Sequence, residues 1–251
     1  MDDISLAAEL AREAGMLAAS MLADGLDTEY KTSVSDVVSA ADHAAEEMIT
    51  ARLAEHRADD GFVGEEGARR SGEGRTWYVD PVDGTYNFLS GLPYWCSAIG
   101  LADENGPLVG AVYFPPRDEL WVGGRDEPTT LNGVPLAQLA ARPLADVSVA
   151  TYFHPRHLAE RDRLSAWRSV TAGAATVRML GSASVDLAGV ASGRLGVFLQ
   201  ANLHPWDWVP GAALVIGAGG VAEKLDIRGN LWHVAGNRQA VNDTLAALRA
   251  G

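Results

Sequence analysis

Four acidic residues stand apart from the ordinary surface charges because of what precedes and follows them. Glu65 comes directly after Phe62, Val63 and Gly64, where an apolar strand runs out. Asp80 ends a second strand of Trp77, Tyr78 and Val79, and Pro81 then removes a ladder donor and predicts a turn. Asp83 follows three residues after Asp80, ahead of Gly84 and Thr85, and Asp207 lies far away, at the start of a helix opening near Trp206. In a continuous strand, residues three apart face opposite sides. A turn at Pro81 would let Asp80 and Asp83 converge.

Singly, each of these residues has an ordinary reading: an aspartate before glycine is common turn chemistry, and an aspartate opening a helix is a cap. Together they suit hard divalent cations such as Mg²⁺, which take carboxylates, carbonyls, waters and substrate phosphate. Asp80 sits between the others and could bridge two ions. Glu65 would complete one shell, Asp83 with Asp207 the other, and the Val82 carbonyl adds a further oxygen. Paired ions clamp the attacking and leaving oxygens of an in-line phosphoryl displacement. The N–H groups of Gly84 and Thr85, opening a short helical turn, suit phosphate oxygens.

The elements that must position these groups are legible from periodicity. Residues 4–24 put Leu6, Leu10, Leu17 and Met21 on one helical stripe, and a second helix over 40–56 carries Met48, Ile49 and Leu53 inward. The segment between them reads as extended or as a hairpin. Strands follow at 62–65, 76–80, 94–102, 107–114 and 119–123, punctuated by turns at Glu104–Gly106, Pro115–Asp118 and Asn132–Gly133. From about 147, strands at 147–152, 175–180, 196–200 and 221–224 alternate with helices near 157–168, 182–192, 206–218 and 238–249. The chain is therefore α/β, with an α+β first half over 1–140 carrying most candidate ligands and an α/β second half over 141–251 carrying Asp207.

Composition bounds the function. Lys and Arg total 20 against 33 Asp and Glu, a formal net charge of −13, which argues against nucleic-acid and anionic-membrane partners. An acidic protein holds a phosphate where cations stand between them, which the carboxylates would supply. Hydrophobic residues make up 47%, enough for a sizeable core. The lone cysteine, Cys96, reads as a buried hydrophobe and points to a reducing cytoplasm. No secretory signal is visible at the N-terminus, and the apolar run 212–222 is too short to span a bilayer. No histidine or cysteine cluster suggests zinc. Gly217 to Gly220 end a helix and precede a strand, the reverse of a dinucleotide-binding order. His154, His157 and His204 read as surface or local hydrogen-bonding residues, and Trp208 as a residue that could line the mouth of the site.

The segment from Trp77 through Asp80, Pro81, Asp83, Gly84 and Thr85 to Phe88 closely resembles the first signature of the inositol monophosphatase family, and Trp206 to Gly220 resembles the second. Gly64, Glu65 and Glu66 match an intervening metal-ligand element. Lys31, Ser33, Asp36, Val38, Ala41 and Asp42 match an N-terminal one, and Gly181 to Ala183 with Leu187, Val190, Ala191 and Gly193 match a helix region. Several linked motifs in order, over nearly the whole chain, make the resemblance specific. It implies a layered αβαβα sandwich of the sugar-phosphatase type, a homodimer, two or three Mg²⁺ ions per site and inhibition by Li⁺. It implies Glu65, Asp80, the Val82 carbonyl, Asp83 and Asp207 as metal ligands. Thr85 and Asp42 match a pair that, with Glu65, orients and deprotonates a metal-bound water. Asp83, Gly84, Thr85, Ala183, Gln200 and Asp207 match substrate-binding positions.

Departures from the family pattern concern the leaving group. Gln200 stands where inositol-specific members carry a glutamate, Gly196 where an aspartate is common, and Gly217 where a glutamate is frequent. Trp208 and Pro210 interrupt a usually Ala-rich helix, with Pro210 expected in its first turn. These changes predict a reshaped leaving-group pocket around an intact metal cage. The expected activity is hydrolysis of a small polyol-like phosphate monoester. Histidinol phosphate, sugar bisphosphates and nucleotide phosphates are alternatives within the family. An aspartyl-phosphate mechanism through Asp80 and a regulatory relative without turnover are alternatives outside that activity.

Overall fold

The computed structural model describes the backbone of residues 1–24, 28–33 and 36–251 and the side chains of 1–24 and 40–251. The side chains of Lys31, Ser33, Asp36 and Val38 in the N-terminal motif lie outside the described residues. Helix α1 (Asp3–Asp24) starts where the Asp2 carboxylate accepts the Ser5 N–H at 2.8 Å. Its buried stripe is Leu6, Leu10, Ala14 and Ala18, with Leu17 and Met21 only half-buried beside it. A hairpin of β1 (Thr28–Ser33) and β2 (Asp36–Ser39) leads into α2 (Ala40–His56), which buries Ala45, Ile49 and Leu53.

A large sheet follows. Its strands are β3 (Gly61–Gly64), β4 (Arg69–Arg70), β5 (Thr76–Asp83), β6 (Cys96–Asp103), β7 (Gly106–Phe114), β8 (Glu119–Gly124), β9 (Thr130–Leu131) and β10 (Val134–Pro135). They lie in the order β10-β9-β8-β7-β6-β5-β3-β4, antiparallel except for the β3–β5 pair. Alternation decides which layer each residue meets. Trp77, Val79, Ile99, Leu101 and Ala111 pack against α1 and α2. Cys96, Ala98, Val112 and Phe114 turn to the opposite face.

A second sheet comprises β11 (Ser148–Thr151), β12 (Thr176–Arg178), β13 (Val197–Ala201), β14 (Val221–Ile227) and β15 (Asn230–Gly236), in the order β12-β11-β13-β15-β14. Helices α5 (Ala183–Ala191) and α6 (Pro205–Gly217) are packed between the two sheets, touching Phe114 and Trp121 on one side and Ala150 and Phe198 on the other. On the outer face, α4 (Arg161–Thr171) and α7 (Arg238–Ala250) cover Val149, Leu199 and Val234. The layers run αβαβα. The short helix α3 (Thr85–Leu89) follows β5 directly. No helix among the described residues is long and apolar enough to cross a membrane.

Several expectations change. Strand β15 was not anticipated, because Trp232 to Gly236 offer no alternation: all are buried. Helix α4 begins at Arg161, after a 3₁₀ turn over Pro155–Ala159 whose first N–H groups include Arg156 donating to His154 Nδ1 at 3.1 Å. Pro210 lies in the second turn of α6, since Pro205 is the first helical residue, so the Trp206 carbonyl lacks its in-helix donor. The Pro210 backbone packs directly over Gly100 and Gly110 of the large sheet, and a Cβ at Gly110 would meet its carbonyl oxygen at 2.0 Å.

Candidate active site

Strand β5 does not end at Asp80. It pairs with β6 through Asp83, with Asp80 opposite Ala98 and Asp83 opposite Cys96, so three steps on β5 match two on β6. The extra residue is a bulge at Pro81 and Val82. A bulge restores the facing that a straight strand would deny, and both aspartates share the side of Ala98 and Cys96, toward α5 and α6. The proline cannot donate, and its own carbonyl accepts the Ser97 hydroxyl. Next, Gly84 takes φ +96°, a left-handed conformation that suits glycine, and α3 begins.

Asp207, third residue of α6, completes a cluster from the other half of the chain: oxygens of Asp80, Asp83 and Asp207 lie within 4.8 Å of one another. Asp83 is held by the start of α5, where its two oxygens accept the Ala183 N–H at 3.2 Å and the Ser184 N–H. The Thr85 hydroxyl donates to the Val82 carbonyl at 3.0 Å. Asp80 is 1% exposed and one of its oxygens has no hydrogen-bond partner. Burial, followed by the charges of Glu65, Asp83, Asp207 and Asp42, pushes its carboxyl well above the usual range, which places all five acids in one neighbourhood. Asp83 is raised by burial against the Ser184, Ser182 and Ala183 hydrogen bonds. Burial and then Asp83 push Asp207 up to about 7.

Among the described residues, the groups that act most on these three acids are neighbouring carboxylates and hydrogen-bond donors. Buried carboxylates that close must share protons or hold a cation. The donor set is all oxygen, which fits Mg²⁺ or a similar hard ion.

Above the cluster opens a cavity of about 460 Å³. Glu65, Asp83, Gly84, Thr85, Ala183, Gln200 and Asp207 all line it, so every expected substrate-binding residue reaches one space. Asp80 and Val82 lie buried below its floor, and Asp42 is fully buried in the first turn of α2. Gly196 and Gly217 are not at this cavity. They face Val147 and Thr129, where larger residues would collide, so their departure from the family pattern serves packing. Trp208 is also a correction: it is 2% exposed, packed against Phe198 and His233 in the core. His204 is exposed and stacks on Trp206, and the 152–154 segment offers Tyr152 to the cavity rather than His154.

The profile of the inositol monophosphatase family matches residues 2–249. The chain belongs to the inositol monophosphatase family. The inositol-1-monophosphatase of Rhizobium meliloti (strain 1021) is 39% identical, over 74% of this chain and 71% of that protein. The Nus factor SuhB of Escherichia coli (strain K12) is 32% identical, over 98% and 95%. Among solved structures, the extragenic suppressor protein suhB from Bartonella henselae superposes with a TM-score of 0.86 at 31% identity, covering 98% of each chain. Membership makes this inositol monophosphatase family protein a phosphatase.

Two functional contacts had gone unread. Glu46, one turn after Asp42 on α2, is 3% exposed and its oxygens accept the Glu66 and Ala68 N–H groups, each at 2.8 Å. It pins the turn that presents Glu65, and burial raises its carboxyl against those two bonds. The i, i+4 spacing of Asp42 and Glu46 was the available signal. Asp186 is the second: a lone acid in the apolar helix α5, 3% exposed, lining the cavity and accepting the Tyr94 hydroxyl at 2.7 Å, with burial pushing its carboxyl up to about 8.

Proposed function

We propose that the protein hydrolyses the phosphate monoester of a small polyol-like metabolite, such as an inositol phosphate, with two or three Mg²⁺ ions. The observation that carries this is the Asp80, Asp83 and Asp207 cluster, with its unpartnered Asp80 oxygen, directly beneath a cavity of metabolite size. Asp80, Asp83, Asp207, Glu65 and the Val82 carbonyl would hold the ions. When bound, these supply positive charge that neutralises the phosphate, stabilises the departing alkoxide and lowers the pKa of water.

The chain's own groups do the rest. Gly84 and Thr85, at the start of α3, direct N–H groups toward phosphate oxygens. Glu65, with Thr85 and Asp42, orients the attacking water and takes its proton, which leaves no need for a covalent aspartyl-phosphate. Gln200 and Ala183 face the organic half of the substrate. Gln200 keeps an acceptor carbonyl yet brings no charge, which broadens the substrate beyond inositol phosphates. Occurrence as a cytoplasmic homodimer and sensitivity to Li⁺ belong to the same reading. A non-catalytic, partner-binding role is less well supported, because the complete set of candidate ligands is retained.

The test is phosphate release from inositol 1-phosphate, histidinol phosphate, a sugar bisphosphate and a nucleotide 3′-phosphate, each with Mg²⁺ and with excess chelator. Turnover is expected on at least one monophosphate and none with chelator. Metal-independent turnover, or none on any ester, would remove the proposal.

A further inference from the structure

The part of the cavity lining that α5 contributes, just beyond the two N–H groups that hold Asp83, has a chemistry of its own. Asp186 accepts the Tyr94 hydroxyl through Oδ1, while among the described residues Oδ2 has no hydrogen bond. The residue is 3% exposed and what it exposes faces the cavity. Beside it, Asn87 spends both amide hydrogens, on the Tyr94 carbonyl at 2.9 Å and the Leu180 carbonyl at 2.8 Å, so its oxygen is the atom left over. The Gln200 side chain lines the same space, with no hydrogen-bond partner among the described residues. Asp186, Asn87 and Gln200 therefore line the cavity with polar atoms left over for a ligand. Among the described residues, no Lys, Arg or His lines the cavity.

We infer that Asp186, held in place by Tyr94, receives a hydroxyl of the substrate's organic part and so selects polyol monophosphates over simple alkyl phosphates and over esters with a second phosphate. The inference rests on the phosphomonoesterase reading and adds the residue that sets its specificity. Buried acceptors impose this selection because a ligand that leaves them without a donor must still strip them of water. Metal ligation would handle only the phosphate, and is indifferent to the leaving group. A second phosphate would meet the Asp186 carboxyl and, among the described residues, no Lys, Arg or His in the cavity lining to receive it.

Tyr94 fixes the geometry. Its ring packs edge-on to Phe114 with centroids 5.8 Å apart, and its backbone carbonyl is taken by Asn87, so the hydroxyl reaches Asp186 from a rigid position. Asp186 is thus oriented before any ligand arrives.

The experiment compares kcat/KM for inositol 1-phosphate, ethyl phosphate and a sugar bisphosphate in wild type, Asp186→Ala and Asp186→Asn, at saturating Mg²⁺. Wild type is expected to favour the inositol ester over ethyl phosphate by at least about tenfold, and to use the bisphosphate less well than the inositol ester. Asp186→Ala should lose about tenfold on the inositol ester, chiefly through KM, with ethyl phosphate unchanged. Asp186→Asn keeps an acceptor for the Tyr94 hydroxyl and should fold even where the alanine variant does not. It should retain more of the preference than alanine does, yet less than wild type. An equal loss on both monoesters, or an undiminished preference in Asp186→Asn, would overturn the assignment while the phosphatase reading stands. No phosphate released by wild type from any ester would overturn both.

Discussion

Strand β5 carries carboxylates near both of its ends, and the two ends are built on opposite principles. At its start, Asp60 faces Arg75, which grips both of its oxygens at 3.0 and 2.7 Å, and Trp77, whose ring N–H adds a third bond at 2.9 Å. Asp3 then links Arg75 to Arg57, with both contacts at 2.7 Å. Burial opposes ionisation of Asp60, but these partners win and hold its carboxyl below the ordinary value. At the far end, Asp80 and Asp83 meet Asp207 with no comparable cation among the described residues, and burial raises all three. The first arrangement is finished within the protein and stabilises it. The second is left open to a cation from outside, and it is the one beneath the cavity. An acidic cluster becomes a candidate site by what it lacks, and the Asp60 network supplies the internal control.

The comparison can be broken most forcefully at Asp80. Asp80→Asn should reduce phosphate release by well over about a hundredfold, since even partners of ligands cost ten- to a hundredfold. The same change should leave the metal-free melting temperature equal or higher, because it relieves charge repulsion. Asp60→Ala should do the reverse. It should lower stability in urea by about 2 kcal/mol, by stranding Arg75 and the Trp77 N–H, and leave the Mg²⁺ dependence of turnover unmoved. A loss of magnesium affinity in the Asp60 variant would erase the distinction between the ends.

Glu46→Gln sharpens the picture more gently. It weakens the hold on the turn carrying Glu65, so turnover should fall about tenfold while the phosphate ester still binds. The smallest expected effect is on pH dependence. Asp207 is raised to about 7, so the metal-free folded state keeps a proton that the unfolded chain releases from about pH 4. Stability without metal should therefore fall as pH rises from about 4 to about 7, read as a falling Tm, and Asp207→Asn should flatten that slope. Asp60 has the opposite sign. Its contribution is present above the unfolded value and is lost as pH falls through the lowered folded value, a loss that Asp60→Asn should abolish.

Sequence alone singled out Asp80, Asp83, Glu65 and Asp207 as candidates because each follows an apolar run or opens a helix, although β5 continues past Asp80 to Asp83. Helices α1 and α2 were equally legible, since their stripes repeat at helical spacing. What escaped depends on pairing between distant segments. The bulge at Pro81 and Val82 exists only relative to β6, and periodicity within β5 pointed to a turn instead. Strand β15 is buried on both faces by α6 and α7, so it shows no alternation. Asp186 carries no signal in the sequence, because Tyr94, 92 residues earlier, meets its carboxylate only in the folded chain. Gly196 and Gly217 looked like specificity changes and prove to be close contacts, because one-dimensional comparison does not separate a pocket wall from a packing seam.

The most direct test of the central claim is calorimetric titration of divalent cation into the chelator-treated protein, for wild type and Asp207→Asn side by side. The arrangement at the far end of β5 predicts saturable Mg²⁺ binding by wild type and at least about a tenfold loss of affinity in the variant, with an unchanged circular dichroism spectrum. Equal affinity in the two proteins, or no binding by wild type at millimolar Mg²⁺, would contradict it.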